Sequence, residues 1–197
     1  MWNIPNILTS FRIFLIPVMV GLYYLPIELY EWKYFATAFV FWFAALTDAL
    51  DGYLARKLDQ STPFGAFFDP VADKVMVAVA LVIVVEDYTS WYITIPAILI
   101  IGREIVVSAL REWMAEQGKR ANVAVSTIGK YKTAAQMLAI IGLLWHPNEY
   151  WVFDGWILGP LLNVASYVFL YVATILTVWS LIVYFKAAWP YISGKKV

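Results

Sequence analysis

The chain has 197 residues, 62% of them hydrophobic, 18% aromatic and only 14% charged, with 14 basic side chains balanced by 14 acidic ones. So much apolar surface excludes a soluble globular domain, and the absence of cysteine excludes disulfides and thiolate metal sites. A mean hydropathy of +0.71 describes instead an all-α polytopic membrane protein, in which the placement of Lys and Arg matters more than the net charge of zero.

Apolar stretches long enough to cross a hydrocarbon core, about 20 residues each, fall at residues 5–25, 34–54, 71–88, 91–114, 127–145 and 156–189. The pattern predicts six transmembrane helices. The first stretch begins almost at Met1, carries Arg12 and lacks a small-residue cleavage signal, so it is expected to be a retained helix and not a signal peptide. The last is longer than one crossing requires, and Pro160 is expected to end an interfacial turn before the span starts near Leu161 or Leu162. Polar connectors are expected at 26–33, 57–70, 86–90, 115–126 and 146–154. In the second of these, Gln60, Ser61, Thr62 and Pro63 should break the helix and return the third span antiparallel to the second. No repeat or long linker divides the chain, so residues 1–197 are read as a single domain.

With the N-terminus in the cytoplasm, the outer connectors hold Lys33 alone of the 14 Lys and Arg. The positive-inside rule then places both termini on the cytoplasmic side. Trp32, Tyr88, Trp91, Tyr92, Tyr150, Trp151 and Trp156 mark the opposite interface. Lys119, Arg120, Lys195 and Lys196 either attract anionic lipid or fix orientation. Phe39, Phe41, Trp42 and Phe43 read as lipid-facing or packing groups.

Against this background one segment stands out. Asp48, Asp51, Gly52, Ala55, Arg56, Gly65, Asp69 and Asp73 form the pattern D-x2-DG-x2-AR-x8-G-x3-D-x3-D. Carboxylates at hydrocarbon depth are costly and need neutralising, and a divalent metal does so economically. Asp48 and Asp51 lie one helical turn apart, and Asp69 and Asp73 repeat the arrangement on the next span. Two facing helices can thus offer oxygen ligands to one or two hard cations. Small residues beside them let a phosphate or nucleotide approach the backbone, where Arg56 can clamp its charge. The competing readings are helix packing with the aspartates paired to Arg56, Lys57 and Lys74, and an ion transporter built on buried acids.

The eight positions match the signature of the CDP-alcohol phosphotransferase family without a departure, and the chain is similar to that family over nearly its whole length. The likeness implies the family's six-helix membrane fold, usually a homodimer, with two Mg²⁺ or Mn²⁺ ions at Asp48, Asp51, Asp69 and Asp73. It implies that Asp73 also serves as the catalytic general base. Gly52, Ala55, Arg56 and Gly65 would bind the CDP moiety, together with Asn6 and Thr9, for which capping and packing are the alternative.

Further runs point to one branch of the family: N-I-P-N-I-L-T-S-F-R at 3–12, S-T-P-F-G-A-F-F-D-P-V-A-D-K at 61–74, R-E-x6-R-E-W at 103–113 and G-K-Y-K-T at 129–133. That branch resembles bacterial inner-membrane enzymes joining CDP-diacylglycerol to sn-glycerol 3-phosphate with release of CMP. The implied partners are these two substrates and membrane lipids, with no nucleic acid. A phosphorylated acceptor also suits the cations Arg103, Arg111, Lys130 and Lys132 on the fourth and fifth spans. Lys130 and Lys132 lie about 200° apart on a regular helix, so one of them can instead snorkel to headgroups. Glu104 and Arg111, seven residues apart, offer a structural ion pair as the alternative for Arg111.

Overall fold

The computed structural model describes residues 4–26, 30–58, 63–118, 127–145, 152–153 and 156–193. Within them run six helices: α1 (Ile4–Tyr24), α2 (Tyr30–Leu58), α3 (Pro63–Tyr88), α4 (Trp91–Glu116), α5 (Thr127–Trp145) and α6 (Leu158–Ile192). A two-residue antiparallel ladder, β1 (Val152–Phe153) with β2 (Trp156–Ile157), precedes α6. The protein is all-α apart from that clasp, as the composition predicts.

Among the described residues, three helices are long and apolar enough to cross a membrane by length and composition, at Asn6–Tyr24, Trp91–Glu116 and Gly159–Ile192. The other three, of 29, 26 and 19 residues, also carry charge inside them, as with Asp48 in α2, Asp73 in α3 and Lys132 in α5.

Several expected boundaries move. Of the connector expected at 57–70, residues 57–58 continue α2 and Pro63 begins α3, while Gln60, Ser61 and Thr62 lie outside the described residues. Proline is well suited to a first helical position, where its missing N–H costs no hydrogen bond. The end of α3 at Tyr88 is where the apolar stretch 71–88 is expected to end, and Thr89 at φ 42° makes the turn into α4. Pro160 does not end a turn. It sits in the first turn of α6, which starts at Leu158 and, at 35 residues, is about 50 Å long.

The core is a bundle interior of aliphatic and small side chains. Met19 from α1, Phe41 and Ala44 from α2, Ala80 and Leu81 from α3, Ile93 and Ile100 from α4, and Ile140 from α5 are all buried in it. A smaller cluster joins Val107 and Met114 of α4 to Tyr184 and Ala188 of α6. Helices α5 and α6 approach closely at Gly142, where an added Cβ would lie 2.9 Å from the Ser166 Cβ. Small residues permit such backbone approach where lipid supplies no hydrophobic drive between helices. Outward-facing positions stay apolar, including Phe14, Val82, Ile98, Ile105 and Ile175, as a lipid-facing surface requires. Phe41 is buried while Phe39, Trp42 and Phe43 are exposed, in keeping with packing and lipid-facing roles.

One end of the bundle is pinned by Asp87, which accepts hydrogen bonds from Tyr34 Oη at 2.9 Å and Tyr23 Oη at 3.2 Å. Lys33 lies over the same two rings, 4.9 Å from the Tyr34 centroid and 5.3 Å from that of Tyr23. This ties α1, α2 and α3 together at the end opposite the aspartates.

Candidate active site

At the other end, α1 supplies a face bearing Asn6, Thr9 and Arg12 at intervals of three residues, all buried. Arg12 is 1% exposed, and a guanidinium so placed needs a counter-charge. Its Nη1 lies 2.5 Å from Asp48 Oδ1. Thr9 Oγ1 donates to Asp69 Oδ1. One helix therefore orients an aspartate on each of the two that follow it. The capping and packing roles weighed for Thr9 give way to this direct bond with a motif carboxylate.

Asp48 and Asp73 line one narrow cleft with Arg12, floored by Phe41, Met76 and Met137. Asp69 and Asp73 are one turn apart on α3, and Gly65 is buried one turn before them. Pro70 between the two aspartates withdraws an N–H from the helix ladder. For Asp51, Gly52, Ala55 and Arg56 the backbone continues α2, and their side chains lie outside the described residues. The donor set is all carboxylate oxygen, which suits a hard divalent cation. Among the described residues no three acidic or imidazole side chains gather on one point, and Asp51 is not among those side chains. Lys74 does not pair with the aspartates as the packing alternative required; its Nζ donates to Ser108 Oγ.

Beyond Asp73 opens a cavity of about 170 Å³ between α3, α4, α5 and α6. Its walls carry Lys74, Arg103, Arg111 and Lys132 against the carboxylates of Asp73 and Glu104. That excess of cations favours an anionic occupant. Lys132 is 2% exposed and donates to Glu104 Oε1, so it points inward and does not snorkel. Arg103 Nη1 lies 3.1 Å from the same Glu104 oxygen, and its Nε donates to Ser180 Oγ at 3.0 Å. The Arg103 guanidinium also sits over the Tyr184 ring at 5.6 Å. Glu104 is thus engaged by Lys132 and Arg103, whereas the alternative for Arg111 had it paired there. Lys130 has a described helical backbone, with its side chain outside the described residues.

The sequence pattern did not single out Ser108, Gln136 or Tyr184 as part of this cavity, nor Ser180 as the acceptor for Arg103, and it offered Glu104 only as a partner of Arg111. Ser180 and Tyr184 on α6 carry no charge, and only the packing of α6 on α4 brings them in. For Arg12 the signal was present in its spacing from Asn6 and Thr9, but its partner on α2 was not.

Residues 2–182 match the model of the family described as CDP-alcohol phosphatidyltransferase. Proteins of Yersinia pestis (strain Pestoides F) and Escherichia coli (strain K12) are each 54% identical to the chain over 187 residues, covering 95% of it and 95% of their own length. Both are named CDP-diacylglycerol--glycerol-3-phosphate 3-phosphatidyltransferase.

Proposed function

The chain belongs to the metal-dependent CDP-alcohol phosphatidyltransferase family, and from that membership we propose that it transfers the phosphatidyl group of CDP-diacylglycerol to sn-glycerol 3-phosphate, giving phosphatidylglycerophosphate and CMP. The observation that carries this reading is the position of Asp73, which lines both the cleft containing Asp48 and the cation-walled cavity. A donor held at the aspartates and an anion held at the cations would meet at that residue. Ion transport, which buried acids alone also allow, does not account for the family membership.

In this reading Asp48, Asp51, Asp69 and Asp73 would hold two Mg²⁺ or Mn²⁺ ions. Bound there, the ions screen the repulsion between two anionic substrates and stabilise the departing CMP. Arg12 and Thr9 keep Asp48 and Asp69 oriented. Asn6, Gly52, Ala55, Arg56 and Gly65, with Thr9, form the side of the site given to the CDP moiety. Arg103, Arg111, Lys130 and Lys132 take the acceptor phosphate. The terminal hydroxyl oxygen of the acceptor bonds to the phosphorus bearing diacylglycerol, the bond from that phosphorus to CMP breaks, and the hydroxyl proton passes to Asp73. All six helices cross the inner membrane of a bacterium as one domain, with both termini and the site on the cytoplasmic side, and the chain works as a homodimer. The sorting of basic residues, with Lys33 alone on the outer side, supports that orientation.

The test is acceptor competition with purified protein in lipid micelles containing CDP-diacylglycerol and Mg²⁺. Glycerol 3-phosphate should drive CMP release and yield a lipid with two phosphates, even with free serine and inositol phosphate present. Dominant turnover with serine, or no CMP at all, overturns the assignment.

A further inference from the structure

Gln136 is 96% buried at 4% relative exposure and lines the cation-walled cavity. Its side-chain carbonyl oxygen has no hydrogen-bond partner among the described residues. A buried amide oxygen left without a donor costs free energy, so such a group in a cavity marks where an occupant must donate. The other polar groups of the lining are cations suited to phosphate; Asp73, suited to the attacking hydroxyl; Glu104, already engaged by Lys132 and Arg103; and the hydroxyls of Ser108, Thr133 and Tyr184. None of them is a neutral acceptor as deeply buried as this one.

Gln136 follows Lys132 by four residues, so the two share a face of α5 about 6 Å apart along its axis. Glycerol 3-phosphate carries its secondary hydroxyl only a few bonds from the phosphate. We propose that Gln136 is a specificity-determining residue, whose side-chain carbonyl accepts a hydrogen bond from the bystander secondary hydroxyl of the acceptor while Lys132 and Arg103 hold its phosphate. The inference rests on the reaction proposed above and adds to it the part of the acceptor that is read besides its charge. It also gives the site a means of rejecting phosphorylated alcohols that lack that hydroxyl, because they leave the amide oxygen unsatisfied.

The probe is 3-hydroxypropyl phosphate, which keeps the phosphate and the terminal hydroxyl and lacks the secondary one. Wild-type protein should use it with a kcat/KM lower than that for glycerol 3-phosphate by about tenfold or more. Gln136→Leu should bring the two acceptors to near parity by losing activity with glycerol 3-phosphate, with the KM for CDP-diacylglycerol unchanged. Gln136→Met, closer in shape, carries the same expectation should the leucine variant fail to fold. Equal use of both acceptors by the wild type, or discrimination that survives the substitution while both activities fall together, overturns the inference and leaves the reaction intact. A wild type that transfers to neither acceptor sinks the underlying reaction, and this inference with it.

Discussion

Asp73 is the residue on which two sets of neighbours converge, Asp48 and Arg12 on one side and Lys74, Arg103 and Lys132 on the other. A base acting in the transition state contributes to turnover more than to binding. Asp73→Asn is therefore expected to keep both KM values near those of the wild type while kcat falls by about 10²- to 10⁴-fold. Steady-state CMP release measured against each substrate checks this, and unchanged turnover removes Asp73 from the base role. Lys132 tests the other side. It is buried and already bonded to Glu104, so its position is fixed before any anion arrives. Lys132→Met should raise the KM for glycerol 3-phosphate roughly tenfold or more, the scale of one charged hydrogen bond, without moving the KM for CDP-diacylglycerol. A parallel rise in both would give Lys132 a general structural role instead. The aspartates were legible in the sequence because acids at such depth are anomalous. The Arg12–Asp48 pair was not, since spacing along one helix says nothing about which side chain of the next helix it meets.

At the scale of elements, the six helices followed from runs of apolar residues, and their errors have a common cause. Prolines and polar residues near 57–70 and at Pro160 read as breaks, yet a proline in a first turn starts a helix as readily as it ends one. What sequence could not give is the pairing of helices, which depends on small residues at crossings. Gly142 is the clearest case, because an added Cβ meets Ser166 Oγ at 1.9 Å and Ser166 Cβ at 2.9 Å. Gly142→Ala should destabilise the protein in detergent by about 1–3 kcal/mol, the usual cost of overpacking. Combining it with Ser166→Gly, which removes both clashing atoms, should recover part of that loss. Thermal unfolding of the two variants decides the matter, and a stable Gly142→Ala protein would show that the crossing is looser than this geometry.

The molecule as a whole uses its first three helices for one set of groups and the last three for most of another. Thr9 and Arg12 on α1 hold aspartates on α3 and α2, while α4, α5 and α6 bring together Arg103, Lys132, Ser180 and Tyr184. The charged members of the second half's network lie in the runs at 103–113 and 129–133, but Ser180 and Tyr184 lie far along the chain from both, which is why they could not be anticipated. The first half carries the central claim, that the aspartates of α2 and α3 form one divalent-cation site. Its most direct measurement is the loss of the free Mn²⁺ resonance in electron paramagnetic spectra when purified protein is titrated in the presence of CDP-diacylglycerol. Wild-type protein should withdraw Mn²⁺ from solution, and Asp48→Asn or Asp69→Asn should weaken that binding by about tenfold or more. Mn²⁺ that stays free with the wild type, or binds equally well to both variants, would contradict the account.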